Sequence, residues 1–528
     1  MSSRTYEGAV EKLNTLQSNA ATLQAIRASG APTKAEYAIP EMIGFLRRIG
    51  YTPEDLNRLN VIHVTGTKGK GSTCAFVDSL LRHSDPSWKV GLYTSPHLIA
   101  VRERIRINGE PISEELFARY FFDVWDRLEN TTIETQEFRT PKPMYFKFLT
   151  LVAFHVFMEL KVDATILEVG VGGTYDSTNI VPKPVATGVS ALGIDHVFML
   201  GNTLREIGWQ KGGIYKEGVP AFTVEQPAEG LTSLEQQARD RNASSFTVLS
   251  TIPQLSELKL GLQGQHQIQN ATLAIHLAHH FLGVKRPNLA PALPAPLSHL
   301  FITALEKTRW PGRCQAVVDP SRPGKEDGSG STTWFLDGAH TVESLKSSAE
   351  WYFSPGVGLS GTDKRQIDHT GPTRILIFNC TSGRSGKTFL GTLLSTADVL
   401  LKTHEGFAQN IAAKAGLFDH VIFCTNITYT DGNFKGDLRS VAMTDAERDK
   451  LTPQRELEAA WRSLVPSFPE ENVHVLPTVG HAVQVVRDVE EADPSASLHV
   501  VVAGSLHLVG GVIEAADLAS VALATSHV

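Results

Sequence analysis

The stretch 61–73 places a β-branched run before a glycine-rich turn that carries Lys70, Ser72 and Thr73. Backbone N–H groups of a tight turn and of a following helix can converge on an anion, while a lysine reaches its outer charge. The turn reads GTKGKGS at 66–72, which is shorter than the usual Walker-A loop and puts a glycine before the hydroxyls. These residues predict a phosphate-binding loop of unusual form. An ordinary glycine-rich turn is the alternative that they leave open.

A carboxylate and an imidazole are associated with two further apolar runs. Glu168 lies in a run that should be a buried strand, and a buried carboxylate needs a partner such as a cation. His196 follows the run 186–190. Together with a hydroxyl, these two residues make a mixed oxygen and nitrogen set with room for water and phosphate oxygens, which suits Mg²⁺ better than Zn²⁺. A salt-bridged glutamate and a structural histidine are the alternatives.

Three more segments carry groups that can face a ligand. The glycine-rich loop after Glu168 contains Asp176, Thr178 and Asn179, and the segment TSPHL at 94–98 carries a hydroxyl and an imidazole. That segment is equally compatible with a simple Ser-Pro turn. Lys211 lies among apolar and small residues. An exposed helix lysine is the ordinary interpretation, whereas burial near a metal would lower its pKa and allow CO₂ to carbamylate the amine.

The elements that must position these groups alternate between short apolar runs and helical patterns. This alternation is typical of a parallel sheet covered by helices. Ligands bind at the carboxyl ends of such strands, so we expect the side chains named above to share one site. The predicted strands of this first half are 61–65, 89–94, 164–169, 186–190 and 221–224.

A proline-rich stretch at 286–296 and the segment Trp310-Pro-Gly-Arg313 indicate a hinge, after which the alternation restarts. We therefore expect a two-domain α/β protein. An N-terminal domain of residues 1–309 carries a mainly parallel sheet flanked by helices, and a smaller Rossmann-like domain spans residues 310–528. Polar loops rich in glycine and proline at about 319–332 and 354–372 are expected to be mobile. The predicted strands of the second domain are 334–336, 374–378, 421–423, 473–476 and 498–503.

Composition narrows the class of protein. The 528 residues carry a net charge of −7 without a basic stripe, which argues against a nucleic-acid partner. The longest apolar runs, such as 500–503, have the length of strands, so we expect no transmembrane segment. The four cysteines share no metal-like spacing and suit a reducing compartment. Since the N-terminus has no apolar signal core, we expect a cytoplasmic protein, with a mitochondrial form left open.

Motifs spread in order over nearly the whole chain resemble those of the folylpolyglutamate synthases. These enzymes belong with the Mur ligases, which are ATP-dependent acid–amino-acid ligases. The WQKGGI form is similar to that of the eukaryotic enzymes. The resemblance rests on GTKGKGS, TSPHL, RERIRING, LEVGVGG, the Asp195-His196 pair, WQKGGI, GxHQxxN ending at Asn270, Trp310-Pro-Gly-Arg313, Asp337-Gly-Ala-His340 and Gly504-Ser505.

The resemblance implies a P-loop ATP-binding N-terminal domain like the central domain of the Mur ligases. The residues it implies for ATP are Gly69, Lys70, Gly71, Ser72, Asn270, Arg313 and Asp337. It implies that Ser95, Glu168 and His196 hold Mg²⁺, whereas a Walker-A analogy would put Ser72 on the metal. Lys70 is implied to be catalytic as well.

For the remaining site residues, the resemblance implies chemistry close to the reacting groups. Lys211 matches a carbamylated position that supports a second magnesium ion. His340 and Ser505 match residues linked to glutamate binding and catalysis. The folate is expected to contact Ser95, Pro96 and His97.

The implied activity is the addition of L-glutamate to the γ-carboxyl of tetrahydrofolates and their polyglutamates. ATP first converts the carboxyl to an acyl phosphate, and the products are folylpolyglutamates, ADP and phosphate. The implied cofactors are ATP, Mg²⁺ and a monovalent cation such as K⁺, and a monomer is expected. Dihydrofolate synthase, which adds the first glutamate to dihydropteroate, is the nearest alternative. A Mur ligase acting on a UDP-sugar would normally carry an extra N-terminal domain. A non-catalytic nucleotide-binding protein would not need intact Lys70, Glu168, His196 and Lys211.

Overall fold

The structure is a computed structural model that describes residues 4–17, 37–131, 141–290, 296–324, 330–359, 371–380, 385–403, 416–429 and 450–524. The described chain divides into two compact units. The first comprises residues up to 261 together with 266–309, and the second comprises 262–265 together with 310–524.

The first unit contains an eight-stranded sheet in the order β4-β3-β2-β5-β1-β6-β7-β8. Six strands are parallel, and β3 and β4 add an antiparallel edge. The predicted parallel sheet is thus confirmed, while β3, β4 and β8 were not predicted. The strands are β1 Val61–Thr65, β2 Val90–Tyr93, β3 Ile105–Ile107, β4 Glu110–Pro111, β5 Ala164–Glu168, β6 Ala186–Val189, β7 Pro220–Val224 and β8 Ser245–Leu249.

Helices cover this sheet, and every residue of β1 and β5 is buried, as expected for central parallel strands. Local caps set where helices begin: the Ser113 hydroxyl accepts the N–H of Leu116, and Thr203 forms a capping box with Glu206. The helices are α1 Tyr6–Asn14, α2 Ala38–Arg48, α3 Lys70–Ser84, α4 Glu114–Asn130, α5 Tyr145–Leu160, α6 Val197–Leu200, α7 Leu204–Gly212, α8 Ala228–Asp240, α9 His266–Lys285 and α10 His299–Lys307.

An aromatic cluster fills one side of the first unit. Phe121 of α4 lies 5.0 Å from Phe148 of α5 and 5.6 Å from Trp125, measured between ring centroids. Buried aromatic pairs of this kind contribute roughly 0.5–1.5 kcal/mol each beyond the area they bury. This core fixes the outer helices and leaves the carboxyl ends of the strands for polar groups.

The second unit contains a six-stranded sheet in the order β13-β12-β11-β14-β10-β9, parallel except for β9. The five predicted strands are all present, and β9 was missed. The strands are β9 Gln315–Val318, β10 Thr332–Leu336, β11 Thr373–Phe378, β12 His420–Cys424, β13 Val473–Leu476 and β14 Leu498–Ala503. The helices are α11 Val342–Tyr352, α12 Gly386–Thr403, α13 Thr452–Leu464, α14 Val479–Ala492, α15 Leu506–Ala515 and α16 Ala519–Ala522.

The two predicted mobile loops lie partly outside the described residues, which omit 325–329 and 360–370. Beside the first gap, Arg322 donates to the Gly330 carbonyl and accepts the N–H of Thr332, where β10 begins. The mobility of both loops stays a prediction. Across the described ranges, none of the helices is long and apolar enough to span a membrane.

Candidate active site

The predicted phosphate loop joins β1 to α3. Gly69 is the N-cap of α3 with φ of +81°, and the helix has no side-chain cap there, so its first-turn N–H groups are not used by a capping side chain. A Cβ at this position would lie 2.0 Å from Oδ1 of Asn270, so only glycine fits. The N–H groups of Thr67 and Lys68 both donate to the Ala191 carbonyl, which holds the loop against the end of β6. The strand, turn and helix expected from the sequence are confirmed.

Two lysines of the first unit share one acceptor in this loop. Nζ of Lys70 lies 3.1 Å from the Gly66 carbonyl oxygen, and Nζ of Lys211 lies 2.8 Å from the same atom. Lys211 is 3% exposed, which rules out an exposed helix lysine. Burial and then the charge of Lys70 hold the pKa of Lys211 well below its ordinary value. A lower pKa increases the fraction of neutral amine, which is the form that reacts with CO₂.

The expected metal ligands lie at or after the ends of β2, β5 and β6, and β1 lies between β5 and β6 in the sheet. Glu168, the last residue of β5, is 4% exposed and accepts the backbone N–H of Ser95, two residues after β2, at 3.0 Å. His196 follows β6 in a left-handed conformation, and its N–H donates to Oδ1 of Asp195. Its surroundings lower the pKa of His196, first by desolvation and then by nearby lysine charges, against the opposing charge of Asp195. The neutral imidazole, the form that can bind a metal, is thereby favoured.

Asn270, which the sequence predicts to contact the nucleotide, lies on α9 beside the loop. Its Nδ2 donates to Oε1 of Gln267, and Nε2 of Gln267 lies 3.5 Å from the Ser72 hydroxyl. Gln267 is fully buried and Ser72 is 6% exposed. The Ser72 hydroxyl therefore lies beside the side-chain amides of Gln267 and Asn270. The serine that hydrogen-bonds Glu168 is Ser95, through its backbone N–H.

The TSPHL segment is held by charged neighbours. The Glu103 carboxylate accepts the N–H groups of Leu98 and Ile99, and Nδ1 of His97 accepts from Nε of Arg104 at 3.0 Å. His97 is 5% exposed. In the structure, Nδ1 of His97 is used by the hydrogen bond from Arg104. The role of His97 in folate binding stays a prediction.

Asp176, Thr178 and Asn179 make hydrogen bonds within the glycine-rich loop and to its surroundings, and their contact with a ligand stays a prediction. All three are buried. Asp176 accepts the N–H groups of Gly170 and Val171 and the hydroxyl of Thr178. Asn179 donates to backbone carbonyls instead. Backbone N–H groups in a glycine-rich loop need acceptors when they are buried, and this carboxylate supplies them.

In the second unit, the segment Asp337–His340 follows β10. Asp337 accepts the N–H of Cys314 and the N–H of Ala339. Nδ1 of His340 hydrogen-bonds the Gly338 carbonyl. Within the described residues, Arg313 hydrogen-bonds the Gly312 carbonyl, which leaves most of its guanidinium donors unused.

Ser505 lies close to this segment through the backbone. The N–H of Gly504, which precedes it, donates to the Ala339 carbonyl at 2.8 Å. Ser505 itself is the N-cap of α15 and is 9% exposed. The structure therefore brings Asp337, His340 and Ser505 to the same end of the second sheet.

Comparison with known proteins decides the family. The chain is 43% identical over 532 aligned residues to the folylpolyglutamate synthase of Candida albicans, covering 97% of this chain and 96% of that one. It is 42% identical over 528 residues to the enzyme of the same name from Saccharomyces cerevisiae, covering 98% and 88%. The chain belongs to the folylpolyglutamate synthase family. A scan against protein-family models found no match.

Solved structures of folylpolyglutamate synthases share its two-domain α/β fold. The Mycobacterium tuberculosis enzyme complexed with ADP aligns with a TM-score of 0.65 at 20% identity, covering 97% of this chain and 99% of that one. The Thermotoga maritima enzyme aligns with a TM-score of 0.58 at 23% identity, covering 90% and 92%. The two sheets described above thus agree with membership of the folylpolyglutamate synthase family.

The donor set of this folylpolyglutamate synthase family member fits a hard cation. Among the described residues no group of three or more His, Cys, Asp or Glu side chains could hold a metal. The set expected from the sequence contains only Glu168 and His196 of those types, with the Ser95 hydroxyl as its third member. The nearly buried Glu168 carboxylate, whose Oε2 accepts the backbone N–H of Ser95, is an oxygen ligand of the kind that Mg²⁺ prefers.

Sequence reasoning missed two groups of polar residues in this family member. Lys68 forms an ion pair with Asp195 at 3.1 Å. Burial alone would raise the pKa of Asp195, but the charges of Lys68 and His196 lower it to about 2. In the second unit, Asn379 and Asn426 lie just after β11 and β12 and hydrogen-bond each other. For Asn379 and Asn426, a polar residue just after a predicted parallel strand was the available signal.

Proposed function

We propose that this protein is an ATP-dependent ligase that adds L-glutamate to the γ-carboxyl of tetrahydrofolates. The observation that carries the proposal is the loop between β1 and α3, where an uncapped helix N-terminus and two lysines converge. Membership of the folylpolyglutamate synthase family supports the same activity and names the substrate class.

In the first unit, the loop binds the phosphates of ATP. N–H groups at the start of α3, from Gly69 to Ser72, point toward an anion, and the helix dipole favours negative charge there. The Lys70 ammonium leaves the Gly66 carbonyl for the phosphates and neutralises the charge that develops on them. Asn270 supports the loop from α9 and is a further nucleotide contact.

Ser95, Glu168 and His196 are the residues that would hold Mg²⁺. When bound, that ion supplies Lewis-acid stabilisation of phosphoryl oxygens. The low pKa of Asp195 keeps its carboxylate charged, so Lys68 stays paired with it and does not compete for the phosphates.

Lys211 is proposed to act as a carbamate. Its neutral Nζ attacks the carbon of CO₂, the new N–C bond forms, and a proton leaves to water. The product is a carboxylate on a side chain that is 3% exposed, and it replaces a buried amine with an oxygen ligand suited to a second magnesium ion.

In the second unit, Arg313 and Asp337 are proposed nucleotide contacts, and His340 and Ser505 are proposed to bind the incoming glutamate. Nδ1 of His340 hydrogen-bonds the Gly338 carbonyl, which orients the imidazole at this end of the second sheet. Ser95, Pro96 and His97 of the first unit are the proposed folate contacts.

The reaction has two balanced steps. An oxygen of the folate γ-carboxylate attacks the γ-phosphorus of ATP, giving an acyl phosphate and ADP. The amino nitrogen of glutamate then attacks the acyl carbon, phosphate leaves, and the nitrogen loses a proton to form the amide. Exclusion of water during these steps protects the acyl phosphate from hydrolysis.

The test is a substrate panel with purified protein, ATP, Mg²⁺ and radiolabelled glutamate, with product chain lengths separated by chromatography. Tetrahydrofolate should give labelled polyglutamates and ADP, with K⁺ raising the rate. Labelled product from dihydropteroate alone would assign the dihydrofolate synthase activity instead. ATP binding without any labelled product would mean a non-catalytic nucleotide-binding protein. Light scattering is expected to give a monomer of 57.5 kDa.

A further inference from the structure

Three amide side chains form a directed hydrogen-bond chain that ends on Ser505. Nε2 of Gln454 donates to Oδ1 of Asn379 at 3.1 Å, and Nδ2 of Asn379 donates to Oδ1 of Asn426 at 3.0 Å. Nδ2 of Asn426 then donates to Oγ of Ser505 at 3.5 Å, the long end of hydrogen-bond range. All four residues belong to the second unit.

The surroundings hold this chain in one orientation. Gln454 is 3% and Asn379 is 5% exposed. A Cβ at Gly504 would lie 2.1 Å from the Asn379 carbonyl oxygen, so the backbones of β14 and β11 are in close contact there. The turn that carries Asn426 is held by Thr425, whose hydroxyl donates to the Pro477 carbonyl and accepts the N–H of Ile427.

The direction of this hydrogen-bond chain determines whether the Ser505 hydroxyl donates or accepts toward a further partner. A hydroxyl that accepts a hydrogen bond from Asn426 keeps its own hydrogen for a different partner. Ser505 is also the N-cap of a ten-residue helix, yet its side chain makes no cap bond to α15. A serine at this position normally accepts an N–H of the first turn. Here the hydroxyl oxygen is instead engaged by Asn426, and its hydrogen is left to donate.

We propose that Asn379 and Asn426 are positioning residues that orient the Ser505 hydroxyl to donate to a carboxylate of the incoming amino acid. The inference rests on the proposed function and deepens it, because it states how the second unit recognises an anionic substrate. A carboxylate suits this place because its oxygens only accept, and the Ser505 hydroxyl hydrogen is the donor that the chain leaves for the substrate. A phosphate oxygen of the nucleotide has similar acceptor chemistry, so the experiment separates the two.

The experiment measures steady-state kinetics of the full-length protein with L-glutamate and with ATP as the varied substrate. Asn426→Ala removes the donor to Ser505. Asn426→Asp keeps the shape and the acceptor for Asn379 but turns the group facing Ser505 into an acceptor, which pulls the hydroxyl hydrogen inward. Ser505→Ala and the double variant Ser505→Ala/Asn426→Ala complete a cycle. Asn472→Ala, at the opposite end of the second sheet just before β13, is the matched control.

We expect Asn426→Ala to raise the KM for glutamate about three- to tenfold, the factor that corresponds to one net hydrogen bond. Asn426→Asp should raise it about tenfold or more, because it adds a like charge beside the substrate carboxylate. The KM for ATP should change less than about twofold. In the Ser505→Ala background, the Asn426 substitution should have no further effect, since it acts through that hydroxyl. The control should match the wild type.

Several results would overturn the inference. A rise in the KM for ATP in place of glutamate would assign the hydroxyl to a phosphate. An unchanged KM for glutamate in Asn426→Asp, or additive effects in the double variant, would show that Asn426 does not act through Ser505. If Asn426→Ala fails to fold, the isosteric Asn426→Asp carries the same test. A wild type that ligates no glutamate would overturn the proposed function itself, a result distinct from an active wild type with unaffected variants.

Discussion

Gly69→Ala should damage the phosphate loop far more than glycine-to-alanine changes usually damage a turn. An L-residue forced into the left-handed region at φ of +81° costs roughly 1–2 kcal/mol. The new Cβ would also lie 2.0 Å from Oδ1 of Asn270, with the three nearest atoms all in that side chain. Asn270 is 4% exposed and is bonded to Gln267, so it cannot move aside without losing that bond.

The magnitude is the sum of three contributions, the first of which is the backbone cost of the left-handed conformation. Forcing an extra methyl group into a packed site costs roughly 1–3 kcal/mol, and the lost amide bond costs about 1 kcal/mol. We therefore expect Gly69→Ala to lower the free energy of unfolding by about 3–6 kcal/mol. Gly218→Ala is the matched control, because Gly218 in the same unit has φ of +71° and nothing within 4 Å of the added Cβ. Its cost should be the backbone contribution alone, about 1–2 kcal/mol.

The assay is urea unfolding of the nucleotide-free protein followed by circular dichroism, together with ATP affinity by calorimetry. Gly69→Ala should weaken ATP binding at least about tenfold, since the loop N–H groups are displaced. Gly218→Ala should leave it unchanged. Adding Asn270→Ala removes the clashing atoms, so the double variant should show a favourable coupling of roughly 1–3 kcal/mol in stability. Equal losses in the two glycine variants, or no coupling with Asn270, would refute the steric argument.

Three further outcomes are expected. Lys70→Ala should abolish turnover with the thermal midpoint preserved, because Lys70 hydrogen-bonds only the Gly66 carbonyl among described residues; retained activity would contradict its role. Lys211→Ala should be inactive and partly restored by added formate or acetate, and the wild type should lose activity in CO₂-free buffer; a CO₂-independent wild type would exclude the carbamate. His63 is fully buried, and burial followed by the charge of Lys216 lowers the pKa of His63 to about 3. Below the ordinary pKa of histidine, the unfolded chain binds a proton at this position and the folded chain does not. The contribution of the neutral His63 to the free energy of unfolding is therefore complete above that pKa and is lost as the pH falls toward 3. The free energies of unfolding of the wild type and of His63→Asn should therefore depend differently on pH below neutrality, by up to about 1.4 kcal/mol per pH unit. Thermal midpoints measured over this pH range check the difference, and identical slopes for the two proteins would contradict it.

Much of the fold follows from local patterns. The run 61–65 was predicted with its observed bounds, because a β-branched run before glycines has one favourable conformation. The short edge strands β3 and β4 were missed, since two or three residues carry no periodicity. The hydrogen bonds of Asp176 to Gly170 and Val171 could not be predicted, because these backbone partners are created by the loop conformation itself.

The sequence by itself determined most of the strands, the glycine-rich turn and the set of chemical groups at the strand ends. Residue type and spacing act over a few residues, so those features are written locally. Only the tertiary structure decided which groups meet. Lys70 and Lys211 share one carbonyl oxygen although 141 positions separate them, and the amides of Asn379 and Asn426 join through neighbouring strands. Contacts of this kind depend on strand order and burial, which arise from packing the whole chain and not from any one segment.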